Sequence, residues 1–394
     1  MNTPIDNSID TGQGDIVGRM IAGYQGWFAC PGDGSPNDRW THWTDHGIPV
    51  PGNQKFELYP DLSEYERTYA TGYENLGDGH PARLFSSYDD QVVDTHFRWM
   101  REYGVDVAAL QRFGPSPQHD GMALKVRKAA EAHGRKFYIM YDISGWNSFA
   151  DQICGDWTRT LGAELDVLSS TAYAHEGGKP VVCIWGMGFT DRPGSAEECL
   201  KVVRWFVDQG CYVIGGVPNH FRDSDTDSKP DFVEVYEEFD MLSPWTPGRY
   251  RGTAGVDWYR KTMLEADAEW CRSRGIDYLP VVFPGFAWAN WNGGPRNQIP
   301  REHGDFLWRQ FANIRDVGIP TAYVAMFDEY DEGTAIAKAA ESWFGIPTNQ
   351  YFLALDADGV PVSSDFYLRL TGDAAKMLRG DEPLVWAHPT PHRI

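Results

Sequence analysis

Four carboxylates that directly follow an apolar run are the strongest candidates for catalytic residues in this sequence. Residues 322–327 predict a buried strand, and the positions after it hold Asp328, Glu329, Asp331 and Glu332. Like charges this close repel one another, which disfavours their ionised forms. Two carboxyl groups that flank a glycosidic bond are the usual means of cleaving it. The simpler alternative is an acidic turn that caps the next helix, because acids favour helix N-termini.

Eight apolar runs alternate with longer segments of helical periodicity. This order predicts eight strands, of which the last precedes the four carboxylates. The predicted strands are residues 18–28, 105–113, 136–143, 179–187, 211–218, 239–245, 277–286 and 319–327. Runs that are apolar throughout are typical of parallel strands buried on both faces. Eight strand–helix units predict a closed (β/α)8 TIM barrel of the α/β class. An open doubly wound sheet is the alternative, but no GxGxxG or GxxxxGK[ST] motif follows a strand.

The predicted domain organisation is one barrel with long loops. Residues 1–17 are polar and acidic and are expected to be disordered or extended, and residues 18–394 form the expected catalytic domain. The pair Asp358-Gly359 predicts the turn of a C-terminal hairpin, and a helix is expected after it.

The composition excludes several classes of partner. The 394 residues carry a formal net charge of −21, whereas nucleic acid and anionic membranes require a basic surface. There is no run of 18 apolar residues, so no membrane span is predicted. The N-terminus lacks the basic and apolar regions of a signal peptide. The compartment therefore stays open: cytoplasmic, or extracellular if a leader has been removed. The oligomeric state, monomer or otherwise, is equally open.

Aromatic and polar residues follow the predicted strands at the end where barrel enzymes place their chemistry. The chain holds 16 Trp, 19 Tyr and 20 Phe, which either fill the core or line a cleft for sugar rings. No Gly-x-Ser-x-Gly elbow is present. Rings at strand ends together with paired carboxylates predict a glycoside hydrolase whose partner is an oligo- or polysaccharide. Candidate substrate-binding residues at these ends are Tyr24, Trp27, Asp142, Trp185, Trp288 and Arg296.

Several of these segments resemble one enzyme family. The segment FDEYDEGTAI (327–336) is similar to the FNEWHEGT motif of glycoside hydrolase family 99 (GH99), the endo-α-1,2-mannosidases and mannanases. The segments AGYQGWF (22–28), RWTHW (39–43) and GKPVVCIWGMGF (178–189) resemble its first strand, a downstream His-Trp pair and its fourth strand. Family 71, the α-1,3-glucanases, shares the general layout. The resemblance covers residues 18–345.

The resemblance implies a role for each motif glutamate. The family's two catalytic glutamates fall on Glu329 and Glu332. The family retains anomeric configuration without an enzyme nucleophile: the first glutamate deprotonates the sugar 2-hydroxyl, and the second protonates the leaving oxygen and then activates water. Glu332 must therefore stay protonated near neutral pH, and crowding by neighbouring carboxylates is expected to raise its pKa. The likeness also makes His42 and Trp43 candidate substrate-binding residues.

This sequence departs from the motif between and before the glutamates. Asp328 replaces the family's Asn, and Tyr330-Asp331 replace its Trp-His. These positions help to shape the sugar pocket, so Asp328 and Tyr330 join the substrate-binding candidates and the sugar is left open. Mannan-like α-linked glycans are the first expectation. The alternatives are an α-1,3-glucanase or another α-glycosidase, and a barrel that binds glycan without cleaving it.

No cofactor is predicted, although one loop has the spacing of a calcium site. Residues 223–234, DSDTDSKPDFVE, place acids at loop positions 1, 3, 5, 9 and 12. Ser228 occupies the sixth position, where such loops require glycine, and Pro230 follows. An acidic surface loop or part of the substrate rim is the alternative. The six cysteines form no CxxC pair, so a zinc site is not indicated.

Overall fold

The fold is known from a computed structural model that describes residues 14–146 and 148–393. Its strands are β1 Met20–Tyr24, β2 Tyr69–Ala70, β3 Arg83–Leu84, β4 Val107–Arg112, β5 Lys136–Asp142, β6 His175–Glu176, β7 Lys179–Trp185, β8 Tyr212–Val217, β9 Met241–Pro244, β10 Asp277–Tyr278, β11 Val281–Val282 and β12 Ala322–Val324. Its α-helices are α1 Asp90–Tyr103, α2 Pro117–His133, α3 Phe149–Gly155, α4 Ala196–Asp208, α5 Val233–Glu237, α6 Gly252–Tyr259, α7 Glu265–Arg274, α8 Ala289–Asn292, α9 Asp305–Asp316 and α10 Phe366–Arg379. Two π-helical segments, Asp156–Glu164 and Arg260–Leu264, continue α3 and α6.

The parallel sheet closes into a barrel through one interrupted strand. The hydrogen-bonded order is β10-β9-β8-β7-β5-β4-β1-β12-β11, with β10 and β11 at opposite ends. These two are halves of one strand, because only Leu279 and Pro280 separate them. The Leu279 N–H donates to the Leu242 carbonyl at 2.9 Å, and the Tyr323 N–H donates to the Pro280 carbonyl at 3.0 Å. The predicted (β/α)8 barrel is therefore confirmed, with all eight expected strands in place.

The helices form where their caps and apolar faces indicate. Ser195 caps α4 together with Glu198 in a reciprocal capping box, which satisfies N–H groups that the helix itself leaves free. Helix α1 buries Val92, Phe97 and Met100, which lie on one apolar face. None of the described helices has the length and apolar character needed to cross a membrane.

The long segment between β1 and α1 runs along the mouth of the barrel. The N–H groups of Glu57 and Leu58 both donate to the Tyr330 carbonyl at 3.0 Å, so this segment is fastened to the loop that follows β12. Farther on, β2 and β3 form a short antiparallel pair. The segment thus covers one side of the site that the strand ends create.

The C-terminal end of the chain differs in detail from the sequence-based expectation. The C-terminal helix is present as α10, but residues 351–363 contain a turn without a pair of strands. The Leu353 N–H bonds instead to the Glu57 carbonyl at 2.7 Å, because the long segment competes for these groups. Near the other end, the Asp15 N–H donates to the His175 carbonyl at 2.8 Å. Residues 1–13 of the expected extended N-terminus lie outside the described residues.

Candidate active site

A cleft of about 640 Å³ opens at the C-terminal ends of the barrel strands. Side chains at or after the ends of seven different barrel strands line it, among them Gln25, Gln111, Asp142, Trp185, Trp245, Trp288, Glu329 and Glu332. This is the end of the barrel where the strand–helix loops converge. Both predicted catalytic glutamates and three of the predicted binding residues, Asp142, Trp185 and Trp288, therefore face one cavity.

Glu329 is held by donors on both carboxyl oxygens. The Gln25 side-chain amide donates to Oε1 at 3.0 Å, and the Thr334 hydroxyl donates to Oε2 at 2.9 Å. The residue is only 6% exposed. Burial, followed by the negative charge of Glu332, raises the pKa of Glu329 well above its usual range. The two donors favour the ionised form and therefore oppose this rise in pKa.

Glu332 sits in the same cleft with a different surrounding. It is half-buried, and burial, followed by the charge of Asp331, raises its pKa to about 8. The nearby indole N–H of Trp288 opposes this rise. The expected increase in pKa is thus present, but its first cause is burial and crowding by like charge comes second. A carboxyl that keeps its proton near neutral pH can serve as a general acid.

Asp331 lies between the two glutamates and pairs with the predicted binding residue His42. The His42 Nδ1 and Asp331 Oδ2 atoms are 3.1 Å apart, and the Asp331 side chain is fully buried. The His42 ring stacks on Trp27, with ring centroids 3.9 Å apart and planes at 7°. Burial raises the pKa of Asp331, and the contact with His42 opposes that rise. His42 and Trp27 therefore support the loop between the glutamates.

Asp328 anchors the loop to the first strand and does not line the cleft. Its carboxyl oxygens accept the backbone N–H groups of Gln25 at 2.7 Å and Gly26 at 2.9 Å. The side chain is fully buried, and this burial raises its pKa to about 7. Asp328 thus fixes Gln25, which in turn holds Glu329.

Aromatic rings form two walls of the cleft. Trp185 packs edge-on against Trp245 with ring centroids 5.4 Å apart, and Phe286 packs against Trp288 with centroids 5.1 Å apart. Asp142 stands beside the first wall, where its carboxyl accepts the Ser144 N–H at 2.7 Å. Flat apolar surfaces next to carboxylate acceptors are suited to the faces and hydroxyls of a sugar.

Four other predicted binding residues lie away from the cleft. Tyr24, Trp43 and Tyr330 are fully buried in the aromatic core, where each side chain has a partner: His96, the Phe85 carbonyl and the Lys338 carbonyl respectively. Arg296 is exposed and stacks over Tyr351 at 4.1 Å. The long segment between β1 and α1 covers the strand ends that the sequence pattern alone leaves open, which is why these rings are core.

Some lining residues were not among the predicted binding residues. Gln25, Gln111 and Trp245 follow strands β1, β4 and β9, so their place at strand ends was a usable signal. Asp227 lies in the loop 223–234, for which the sequence left the substrate rim as one alternative, whereas Arg249 comes from a loop that no sequence pattern marks.

The expected calcium spacing does not assemble a site. Asp227 accepts the backbone N–H groups of Asn219 and His220, both at 3.1 Å, and pairs with Arg249. Across residues 14–146 and 148–393, no three His, Cys, Asp or Glu side chains converge as metal ligands. Asp227, the fifth loop position, instead lines the cleft.

A second cavity of about 840 Å³ adjoins the cleft. His42 lines it together with Trp40, Lys55 and Trp291. The short helix α8 lies between the two cavities, because Trp288 before it lines the cleft and Trp291 within it lines the second cavity.

Comparison with known proteins gives a clear structural relationship. A GH99 endo-α-mannosidase from Bacteroides thetaiotaomicron superposes with a TM-score of 0.66 at 16% identity, over 93% of this chain and 98% of that one. A glycoside hydrolase-like protein gives a TM-score of 0.53 at 14% identity, over 86% of this chain and 99% of its own. This chain has a GH99-like fold. The resemblance read from the strand motifs is thus confirmed at the level of the fold. No protein-family model and no curated protein matches the sequence.

Proposed function

We propose that this chain is a glycoside hydrolase that cleaves α-linked glycans, with Glu329 and Glu332 as its catalytic residues. The observation that carries the proposal is the pair of glutamates at the end of the eighth barrel strand. Burial raises the pKa of both, Glu329 in addition accepts two hydrogen bonds that favour its ionised form, and both open into a cleft walled by tryptophans. Carboxyl groups that differ in this way can divide the work of base and acid.

The arrangement supports a retaining route through the sugar's own 2-hydroxyl. Glu329 takes the proton of that hydroxyl while the 2-oxygen bonds to the anomeric carbon. The bond from that carbon to the leaving oxygen breaks, and the leaving oxygen takes the proton of Glu332. In the second step Glu332 removes a proton from water, whose oxygen attacks the anomeric carbon. The 2-oxygen then departs and recovers its proton from Glu329. Two inversions at one carbon give net retention.

The proposed substrate is a mannan-like α-linked oligo- or polysaccharide. We base this choice on the GH99-like fold. The departures from the family motif bear on this choice. Asp328 and Tyr330 lie behind the cleft, so their identities act on the sugar only through the loop that they support. Side chains that line the cleft, such as Asp142 and Trp185, make the direct contacts in our proposal. An α-1,3-glucan or another α-glycan is the alternative substrate.

The deciding experiment is a screen of α-mannans, α-glucans and α-linked aryl glycosides with wild type and Glu332→Gln, read as released reducing ends. Release by wild type that the variant loses on natural glycan supports the proposal and names the sugar class. Glycan binding by calorimetry without release from any substrate would replace it with a non-catalytic glycan-binding role. Exposed Glu197→Gln on α4, which pairs with Lys201 and does not line the cleft, is the matched control.

A further inference from the structure

Helix α8 carries one wall of the cleft but is too short to hold its own position. It has four residues, so most of its N–H and C=O groups have no partner within the helix. A helix of this length is unstable in isolation. Trp288 stands directly before it in the cleft, and Trp291 within it reaches the second cavity. The position of both rings must therefore come from contacts with the rest of the chain.

Asn290 supplies most of those contacts. Its backbone N–H donates to Glu57 Oε2 at 2.8 Å. Its side-chain amide donates to the carbonyls of Phe56 at 3.0 Å and Tyr351 at 2.9 Å, and its side-chain oxygen accepts from Gln54 at 3.2 Å. Few surface side chains satisfy every polar atom in this way, so the orientation of Asn290 is tightly specified.

Glu57 connects this arrangement to the catalytic loop. Its side chain is fully buried, and its own N–H donates to the carbonyl of Tyr330, which lies between the two glutamates, at 3.0 Å. One residue thus holds the loop with its main chain and α8 with its carboxylate. On the other side of Trp288, the Ala287 N–H donates to the Glu332 carbonyl at 2.9 Å. The segment 287–290 is therefore fixed to the same loop at both ends.

We propose that Asn290 and Glu57 are positioning residues that set Trp288 against the catalytic acid Glu332. This inference rests on the proposed function for its catalytic part, whereas the placement of Trp288 can be tested without turnover. The proposal gives residues 54–57 of the long segment a structural role. They hold helix α8 and Trp288, which follow the seventh strand, although they themselves follow the first.

The placement is tested by fluorine NMR on protein labelled with 5-fluorotryptophan. Resonances of Trp288, Trp291 and Trp185 are assigned from Trp→Phe variants. We expect Asn290→Ala and Glu57→Ala to shift or broaden the first two signals and to leave Trp185, on the opposite wall, unchanged. Glu57→Gln keeps an acceptor oxygen and should restore the wild-type spectrum. A Trp288 signal that is unchanged in Asn290→Ala overturns the proposal.

The matched control is Asn292→Ala, which alters an exposed residue of the same helix and should leave the Trp288 signal in place. If Asn290→Ala does not fold, the Glu57→Ala and Glu57→Gln pair decides instead: equal spectra for the two overturn the proposal.

Turnover then tests the consequence for the acid. Misplacing a contact beside the reacting groups by about 1 Å can cost about 100-fold in rate, so we expect kcat of Asn290→Ala on glycan to fall by about 10- to 100-fold with a smaller change in KM. The basic limb of the kcat profile should also move to higher pH, because the Trp288 N–H no longer opposes the raised pKa of Glu332. A wild-type profile in this variant refutes the positioning role. Absence of turnover in wild type refutes the proposed function, and the NMR result still decides the placement.

Discussion

Replacing Glu332 by glutamine removes the proposed acid while keeping its shape. The resulting loss of kcat/KM should depend on the leaving group of the substrate. With a pKa of about 8, roughly nine in ten Glu332 carboxyls hold a proton at pH 7. With the usual pKa of 4.5, roughly three in a thousand would do so. Burial and the charge of Asp331 together increase the fraction of Glu332 in the acid form about 300-fold at that pH.

A positioned general acid contributes about 100- to 10,000-fold, so kcat/KM of Glu332→Gln on glycan should fall within that range. An aryl glycoside with a nitrophenolate leaving group needs no proton for departure, and its kcat/KM should fall less than about tenfold. We choose kcat/KM because it reports the first bond cleavage, whereas kcat also includes the later step in which Glu332 activates water.

The assay compares reducing-end release from glycan with nitrophenolate release from the aryl glycoside, each from pH 5 to 9. The basic limb of wild type should be absent from Glu332→Gln. The variant should unfold at the same or higher temperature than wild type, because a buried group that repels its neighbours has been neutralised. Equal loss on the two substrates would refute the assignment of Glu332 as the acid.

Three further perturbations test other parts of the site. Asp331→Asn removes a charge that raises the pKa of Glu332, so the basic limb of kcat/KM should move below its wild-type position near pH 8; an unmoved limb contradicts this electrostatic role. Trp185→Ala should raise KM for glycan about tenfold, as expected for the loss of one ring contact, with a smaller change in kcat, whereas exposed Trp258→Ala should change neither. Asp328→Asn should reduce the pH dependence of stability. The pKa of Asp328 is about 7 in the folded protein and 3.8 ordinarily, so the unfolding free energy of wild type should fall as the pH rises from 4 to 7. Urea melts across that range would contradict this role if the unfolding free energies of variant and wild type fell equally with pH.

The barrel could be predicted from the sequence because its strands are buried on both faces. Such strands are apolar throughout and alternate with amphipathic helices, and both signals are local in the chain. The seventh strand was expected as one run of residues 277–286. It instead divides at Leu279 and Pro280, so that its first part pairs with β9 and its second part with β12. The expected C-terminal hairpin failed for a non-local reason, since Leu353 pairs with the segment before α1.

The site was predictable at the C-terminal ends of the barrel strands and in the loop after the eighth. Asp142 and Trp185 end their strands, Glu329 and Glu332 lie in the loop after β12, and all four face the cleft. Tyr24 also belongs to a strand end, yet its ring packs between helix α1 and the loop after β12, and only the tertiary structure shows this. Positions in long loops carry no such geometric rule, which is why Arg249 was missed.

The interrupted seventh strand also makes the barrel uneven in how firmly its strands are held. It pairs over two residues with β9 and over two with β12, whereas β4 and β5 pair over six. Amide groups of this seam, the hydrogen bonds that β10 and β11 make with β9 and β12, should exchange with deuterium sooner than those of β4 and β5. Shorter ladders open locally at lower free energy. The proposed catalytic loop follows β12, at the edge of this seam. Its rigidity therefore depends on Asp328 and Glu57 more than on the sheet, and loosening either should increase exchange there before the rest of the barrel responds.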